Sequence, residues 1–175
     1  GFITIHLPPY VSDLGLDPEV AVVGLALIGG FNIVGSLLSG VAGQRWSKKK
    51  SLSFIYLTRG LLILGLLLLP KTELTLYVFS ASMGLLWLST VPLTSGIIAQ
   101  VFGLRYMATL FGIVFLSHQL GSFLGIWLGG LLFDGTGSYD VVWWLGAALG
   151  LAAALVHWPI DENPLQRVRA IKVGN

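Results

Sequence analysis

The positions at which this sequence carries no charge constrain it most. No Asp, Glu, Lys or Arg occurs in the 25 residues between Glu19 and Arg45 or the 31 between Glu73 and Arg105. The same holds for the 28 residues between Arg105 and Asp134 and the 20 between Asp140 and Asp161. Between Lys50 and Lys71 lie 20 residues with one charge, Arg59. Roughly 20 apolar residues in a helix cross a hydrocarbon core ~30 Å thick. Each gap therefore predicts one membrane span, placed at 20–43, 51–70, 75–98, 107–132 and 139–159. Residues 1–12, GFITIHLPPYVS, are also uncharged, but a helix of that length reaches only about 18 Å. They read as the end of a span that begins upstream, and Gly1 as a start that is not native. Helices are the expected element because lipid offers the backbone no hydrogen bonds; a β-barrel would alternate in segments of about ten residues.

Composition removes the competing classes. Charged residues make up 10% of the chain and hydrophobic ones 55%, where a soluble domain carries about 25% charge. That excludes an ordinary soluble enzyme, a disordered segment and a nucleic-acid binder. Cysteine is absent, and the three histidines lie far apart at 6, 118 and 157. With no HExxH, GxSxG or Walker loop, neither an enzyme nor a metal site nor a cofactor is expected.

The Lys and Arg distribution sets an orientation. Arg45, Lys48, Lys49, Lys50, Arg105, Arg167, Arg169 and Lys172 fall in one set of loops, and only Lys71 in the other. The basic side is expected to be cytoplasmic and to include the tail, 160–175. Asp13, Asp17, Glu19, Glu73, Asp134 and Asp140 mark the outer side. Short loops make successive helices antiparallel neighbours in one bundle over residues 1–159. Two stripes of small residues, Gly35–Ser39–Gly43 and Ser117–Gly121–Gly125–Gly129, suit close helix packing or a sliding surface between bundles. Tyr139, Trp143, Trp144 and Trp158 read as interfacial anchors.

Polar groups at depth are the candidate site. Arg59 lies nine residues beyond Lys50, about 13 Å into its span. An intramembrane Arg costs at least ~2.5 kcal/mol, so it should face the bundle interior or a wet cavity. It reads either as a counter-charge for an anionic substrate or as a structural cap on carbonyls. His118, Gln119 and Asn32 fall near mid-span, and Ser89, Thr90, Thr94 and Ser95 surround Pro92, which should bend its helix. His6 could line an outward vestibule or make a helix-end hydrogen bond. Arg59, His118, Gln119, Asn32 and His6 are the candidate substrate contacts.

The loop GVAGQRWSKK at 40–49 resembles the G-x-x-x-D-R-x-G-R-R/K loop of the major facilitator superfamily, which follows the second and eighth helices. Gly40, Arg45, Lys48 and Lys49 match; Gln44 replaces the acid and Ser47 the second glycine. In the family that acid belongs to a charge network that latches one conformation, a role Gln44 cannot take, and the degenerate copy suits the loop after the eighth helix. LPPYVSDLGL at 7–16 and LFGIVFLSHQLGSFLGIWLGGLLFDGTGSYDVVWW at 110–144 resemble the C-terminal half of bacterial facilitators near the monocarboxylate-transporter branch. Animal monocarboxylate carriers place an acid and an arginine four residues apart in the eighth helix; Asn32 and Ser36 stand there, so the resemblance does not extend to that ion pair.

The resemblance implies an all-α membrane protein, one six-helix bundle with its first helix truncated, forming half of a twelve-helix facilitator fold. It implies a secondary transporter that moves a small solute by alternating access, with Gly40, Gln44, Arg45, Lys48 and Lys49 as a conformational-gating loop. The expected solute is an organic anion such as a monocarboxylate, with a proton as candidate coupling ion. The expected partners are the lipid bilayer and a missing N-terminal six-helix half, without which no transport is expected. A bacterial inner membrane is the expected location. Drug or sugar export is the alternative within the class; a small membrane scaffold is the alternative outside it.

Overall fold

The computed structural model describes residues 2–165, which are helical with no strand. Arg167, Arg169 and Lys172 lie outside the described residues. The helices are α1 (Phe2–Asp13), α2 (Pro18–Arg45), α3 (Lys48–Leu68), α4 (Glu73–Trp87), α5 (Thr90–Phe102), α6 (Met107–Thr136) and α7 (Asp140–His157). Five stretches are long and apolar enough to cross a membrane: α2, α3, α6, α7, and α4 with α5 taken as one stretch, Glu73–Phe102.

Local chemistry sets the helix ends. Asp17 accepts a hydrogen bond from the Glu19 amide at 2.8 Å, with Pro18 opening α2. Ser47 caps α3 and Thr72 caps α4. Gly137, at φ +67°, ends α6 in a left-handed turn that a side chain would strain.

The span placed at 75–98, whose helix Pro92 was expected to bend, is broken at Leu88 and Ser89 and extends to Phe102. The cause is Pro92, which has no amide hydrogen and whose ring crowds the carbonyl four residues before it, that of Leu88. Val91 N–H turns to the Leu88 carbonyl at 3.0 Å in a tighter turn.

Two helix pairs hold the bundle: α2 packs on α4, and α3 on α7. Both approach through glycine. A Cβ at Gly84 would lie 2.7 Å from the Ile28 carbonyl oxygen, and one at Gly35 would overlap the Leu85 carbonyl. A Cβ at Gly150 would lie 3.1 Å from Gly60 Cα. The Gly35–Ser39–Gly43 stripe is thus a packing surface; a Cβ at Gly43 would lie 2.9 Å from Leu93 of α5. The second stripe differs. Gly129 is the one buried residue of α6, set against His6, while Gly121 has open space beside it.

The core gathers at the acidic end around Trp143, which is wholly buried. Its ring packs on Tyr10 at 5.3 Å and edge-on to Phe79 at 5.9 Å. Trp143 and Tyr139 are therefore core residues, not interfacial anchors. They stand four apart on one helix face and both point inward, whereas Trp144, one position on, is exposed.

At the basic end, Glu162 folds back onto the start of α3. Its carboxylate accepts from Ser47 Oγ at 2.6 Å and from the Lys49 amide at 2.9 Å. Lys49 Nζ donates to the Ile160 carbonyl at 2.6 Å, Lys48 Nζ to Gln100 Oε1 at 2.7 Å, and Gln100 Nε2 to the Glu162 carbonyl at 2.8 Å. Burial by itself would raise the Glu162 pKa. The Ser47 hydroxyl, the Lys49 and Lys48 amides and the Lys48 charge outweigh it and hold the carboxyl below its usual value. A lowered pKa means the contribution to stability is complete above the unfolded value of about 4.3 and is lost as pH falls through the folded one. Glu162→Gln is expected to cost about 1 kcal/mol, as for a lost helix cap. Thermal melts of wild type and variant should converge as pH falls through the folded value; a constant difference at all pH values refutes the charge's role.

Candidate functional site: a cavity at the broken helix

The break leaves backbone groups without their helical partners, and two side chains from neighbouring helices serve them. Arg59 of α3 donates from Nη2 to the carbonyls of Leu86 and Trp87. Asn32 of α2 accepts the Leu88 amide on Oδ1 at 2.9 Å. Ser89 Oγ donates to the Leu85 carbonyl. An unpaired buried backbone group costs about 1–3 kcal/mol, so these polar side chains stabilise a kink that the apolar environment would otherwise penalise.

A cavity of about 390 Å³ opens beside the break. Arg59, Tyr56 and Ile63 reach it from α3, Trp87 from the end of α4, Thr90 and Thr94 from α5, Phe115 and His118 from α6, and Gly146 and Ala153 from α7. Tyr56 lies under the guanidinium, with the Arg59 carbon 5.2 Å from the ring centroid, a cation–π contact. Its other neighbour is His157, stacked at 4.8 Å. Arg59 Nε is buried with no hydrogen-bond partner among the described residues. No Asp or Glu lines the cavity, and those within the helical spans sit at their ends. Among the described residues, the positive charge is thus met by carbonyl dipoles and an aromatic face.

Of the five expected substrate contacts, the structure brings two to one cavity. Arg59 and His118 both line it; the His118 ring lies 5.8 Å from that of Phe115. Gln119, one position further, is exposed and lies outside the lining. Asn32 faces the break from α2. His6 is buried between α1 and α6, where Nε2 lies 3.4 Å from the Ile126 carbonyl and the ring 5.4 Å from that of Tyr139. In the loop, Gln44 and Arg45 are exposed, Gly40 has open space, and Lys48 and Lys49 join the Glu162 cluster. Tyr56 and Trp87 are the lining residues the sequence reading passed over. Tyr56 was within reach of it, being three residues before Arg59 on the same helix face. Trp87 depends on where the helix breaks. Glu162 and Ser47 meet across more than a hundred residues, beyond any local pattern.

The chain matches the family model of the Major Facilitator Superfamily over residues 1–173. It is 32% identical over 148 residues to an uncharacterized MFS-type transporter, YcxA, of Bacillus subtilis strain 168, covering 81% of this chain and 36% of that protein. It is 27% identical to monocarboxylate transporter 12-B of Danio rerio, over 87% of this chain and 32% of the relative. To monocarboxylate transporter 13 of Rattus norvegicus it is 26% identical, over 86% of this chain and 35% of the relative. The chain thus spans about a third of the length of the curated relatives it matches. No solved structure matches it significantly. With five stretches apolar enough to cross a membrane and a family match along nearly its whole length, this chain belongs to the major facilitator superfamily.

Proposed function

We propose that the chain supplies one six-helix half of a secondary transporter that carries a small organic anion, a monocarboxylate with an apolar body, by alternating access. The observation that carries this reading is Arg59, the one Lys, Arg, Asp or Glu among the residues lining the cavity, with no carboxylate there to pair with. A lone buried cation is costly, and a carboxylate entering the cavity would neutralise it. The rest of the wall supports the choice of body. Ile63, Trp87, Phe115 and their neighbours are apolar, and few polar groups accompany them: His118, the Thr90 and Thr94 hydroxyls and Tyr56. Ligand sites of this kind orient an apolar body with a few placed polar groups. A sugar would leave most of its hydroxyls without partners there, at about 1–3 kcal/mol each. His118 is the candidate for a proton or ligand contact.

In this reading the basic end faces the cytoplasm, the membrane is the bacterial inner membrane, the partner is a second six-helix half, and the loop at 40–49 gates the change of conformation. The relatives named as monocarboxylate transporters and the bacterial relative support the reading. Counterflow on the full-length protein tests it, with benzoate, hexanoate, lactate and glucose as solutes. Benzoate and hexanoate are expected to exchange, glucose is not, and Arg59→Ala and His118→Ala are both expected to slow exchange. Wild-type rates in both variants would remove these residues from the site. Exchange of glucose alone would replace the anion reading with sugar transport.

A further inference from the structure

We infer that Arg59 is shared between the anion site and the break in the third span, so that filling the cavity unfastens the break. The inference rests on the cavity being an anion site. Its physical basis is the number of hydrogens on one nitrogen. A guanidinium grips a carboxylate with two parallel N–H bonds, and it has two edges able to do so, Nε with Nη2 and Nη1 with Nη2. Both edges use Nη2, the nitrogen that donates to the Leu86 and Trp87 carbonyls. Its two hydrogens are thus committed to the break. A carboxylate held by both oxygens takes at least one of them, and Nε, which has no partner, is free to provide the second bond.

The released carbonyls then need other donors. In a continuous helix the Leu86 carbonyl would accept from Thr90 N–H and the Trp87 carbonyl from Val91 N–H. In the structure Val91 N–H bonds Leu88 instead, and no backbone bond joins Thr90 N–H to Leu86. Pro92 obstructs only the Leu88 carbonyl, so these two bonds are available. Loss of Arg59 to a ligand therefore favours straightening of α4 onto α5, and α5 carries Thr90, Val91 and Thr94 of the cavity wall with it. Asn32 holds the Leu88 amide from the opposite side and is untouched by the ligand, which makes it the fixed side of the hinge. Binding and bending become competing claims on a single side chain.

Hydrogen exchange of the peptide spanning residues 86–92, in the full-length carrier with and without benzoate, tests this. Benzoate is expected to slow exchange at Thr90 and Val91 by a factor on the order of five or more, the usual size of coupling between sites. Arg59→Lys, whose single ammonium holds two carbonyls poorly, is expected to show slow exchange there before benzoate is added. Benzoate bound with exchange unchanged or faster overturns the shared latch and leaves the anion site standing. Benzoate bound equally well by Arg59→Gln, or no binding by wild type of benzoate, hexanoate or lactate, overturns the anion site and this inference with it.

Discussion

Arg59→Gln in the full-length carrier is expected to abolish measurable carboxylate uptake, lowering kcat/KM by about a hundredfold. A hydrogen bond to a charged group is worth about 1.5–3 kcal/mol, and about 2.7 kcal/mol corresponds to two decades in rate. Glutamine keeps polarity and can still donate to one carbonyl of the break, so the fold is expected to survive with a modestly lower melting temperature. The larger effect falls on the anion, which loses the only Lys or Arg counter-charge among the residues lining the cavity. Arg59→Lys restores the charge without the fork geometry and is expected to recover part of the rate, at a higher KM. Uptake by Arg59→Gln at the wild-type rate would refute the assignment of the site. A loss of uptake matched by loss of the folded protein in detergent would reduce Arg59 to a structural cap.

Gly84→Val is expected to have the largest effect on stability. The new Cβ would lie 2.7 Å from the Ile28 carbonyl oxygen and 2.9 Å from Ile28 Cα. Both are backbone atoms of α2, which cannot rotate out of the way as a side chain could. The helices must separate, and the α2–α4 contact is one of the two on which the bundle is built. Overpacking of a tight interior costs about 1–3 kcal/mol, and occasionally more; the upper end is expected here, seen as loss of the monodisperse folded protein or a fall in melting temperature of several degrees. Gly65→Ala is the contrasting case. A Cβ there meets nothing within 4 Å, and exchanging glycine for alanine in a helix favours the helix by roughly 0.5–1 kcal/mol. Equal destabilisation by the two variants would show that interhelical contact does not distinguish these positions.

Gly35 and Gly121 illustrate how much of this the sequence could carry. Each belongs to a stripe of small residues at four-residue spacing, and the stripes look alike. One glycine proves to lie against the Leu85 backbone and the other beside open space. Spacing fixes which residues share a helix face; it does not say what that face meets. Trp143 and Trp144 repeat the lesson at the acidic end of α7. Adjacent in the chain, they point in directions about 100° apart, and only packing reveals that one forms the core and the other lies outside it.

The sequence by itself determined that five stretches are helical and apolar enough to cross a membrane, because the cost of placing charge in hydrocarbon is large, local and readable residue by residue. It also determined that Arg59 needs a polar partner at depth, and it placed Pro92 near the bend. The tertiary structure alone decided what that partner is: the carbonyls freed by the break, with Asn32 answering from the opposite helix and His118 meeting Arg59 across a cavity. Those contacts join residues tens of positions apart. They depend on helix rotation and close approach, which hydropathy leaves undetermined because lipid favours every apolar face alike.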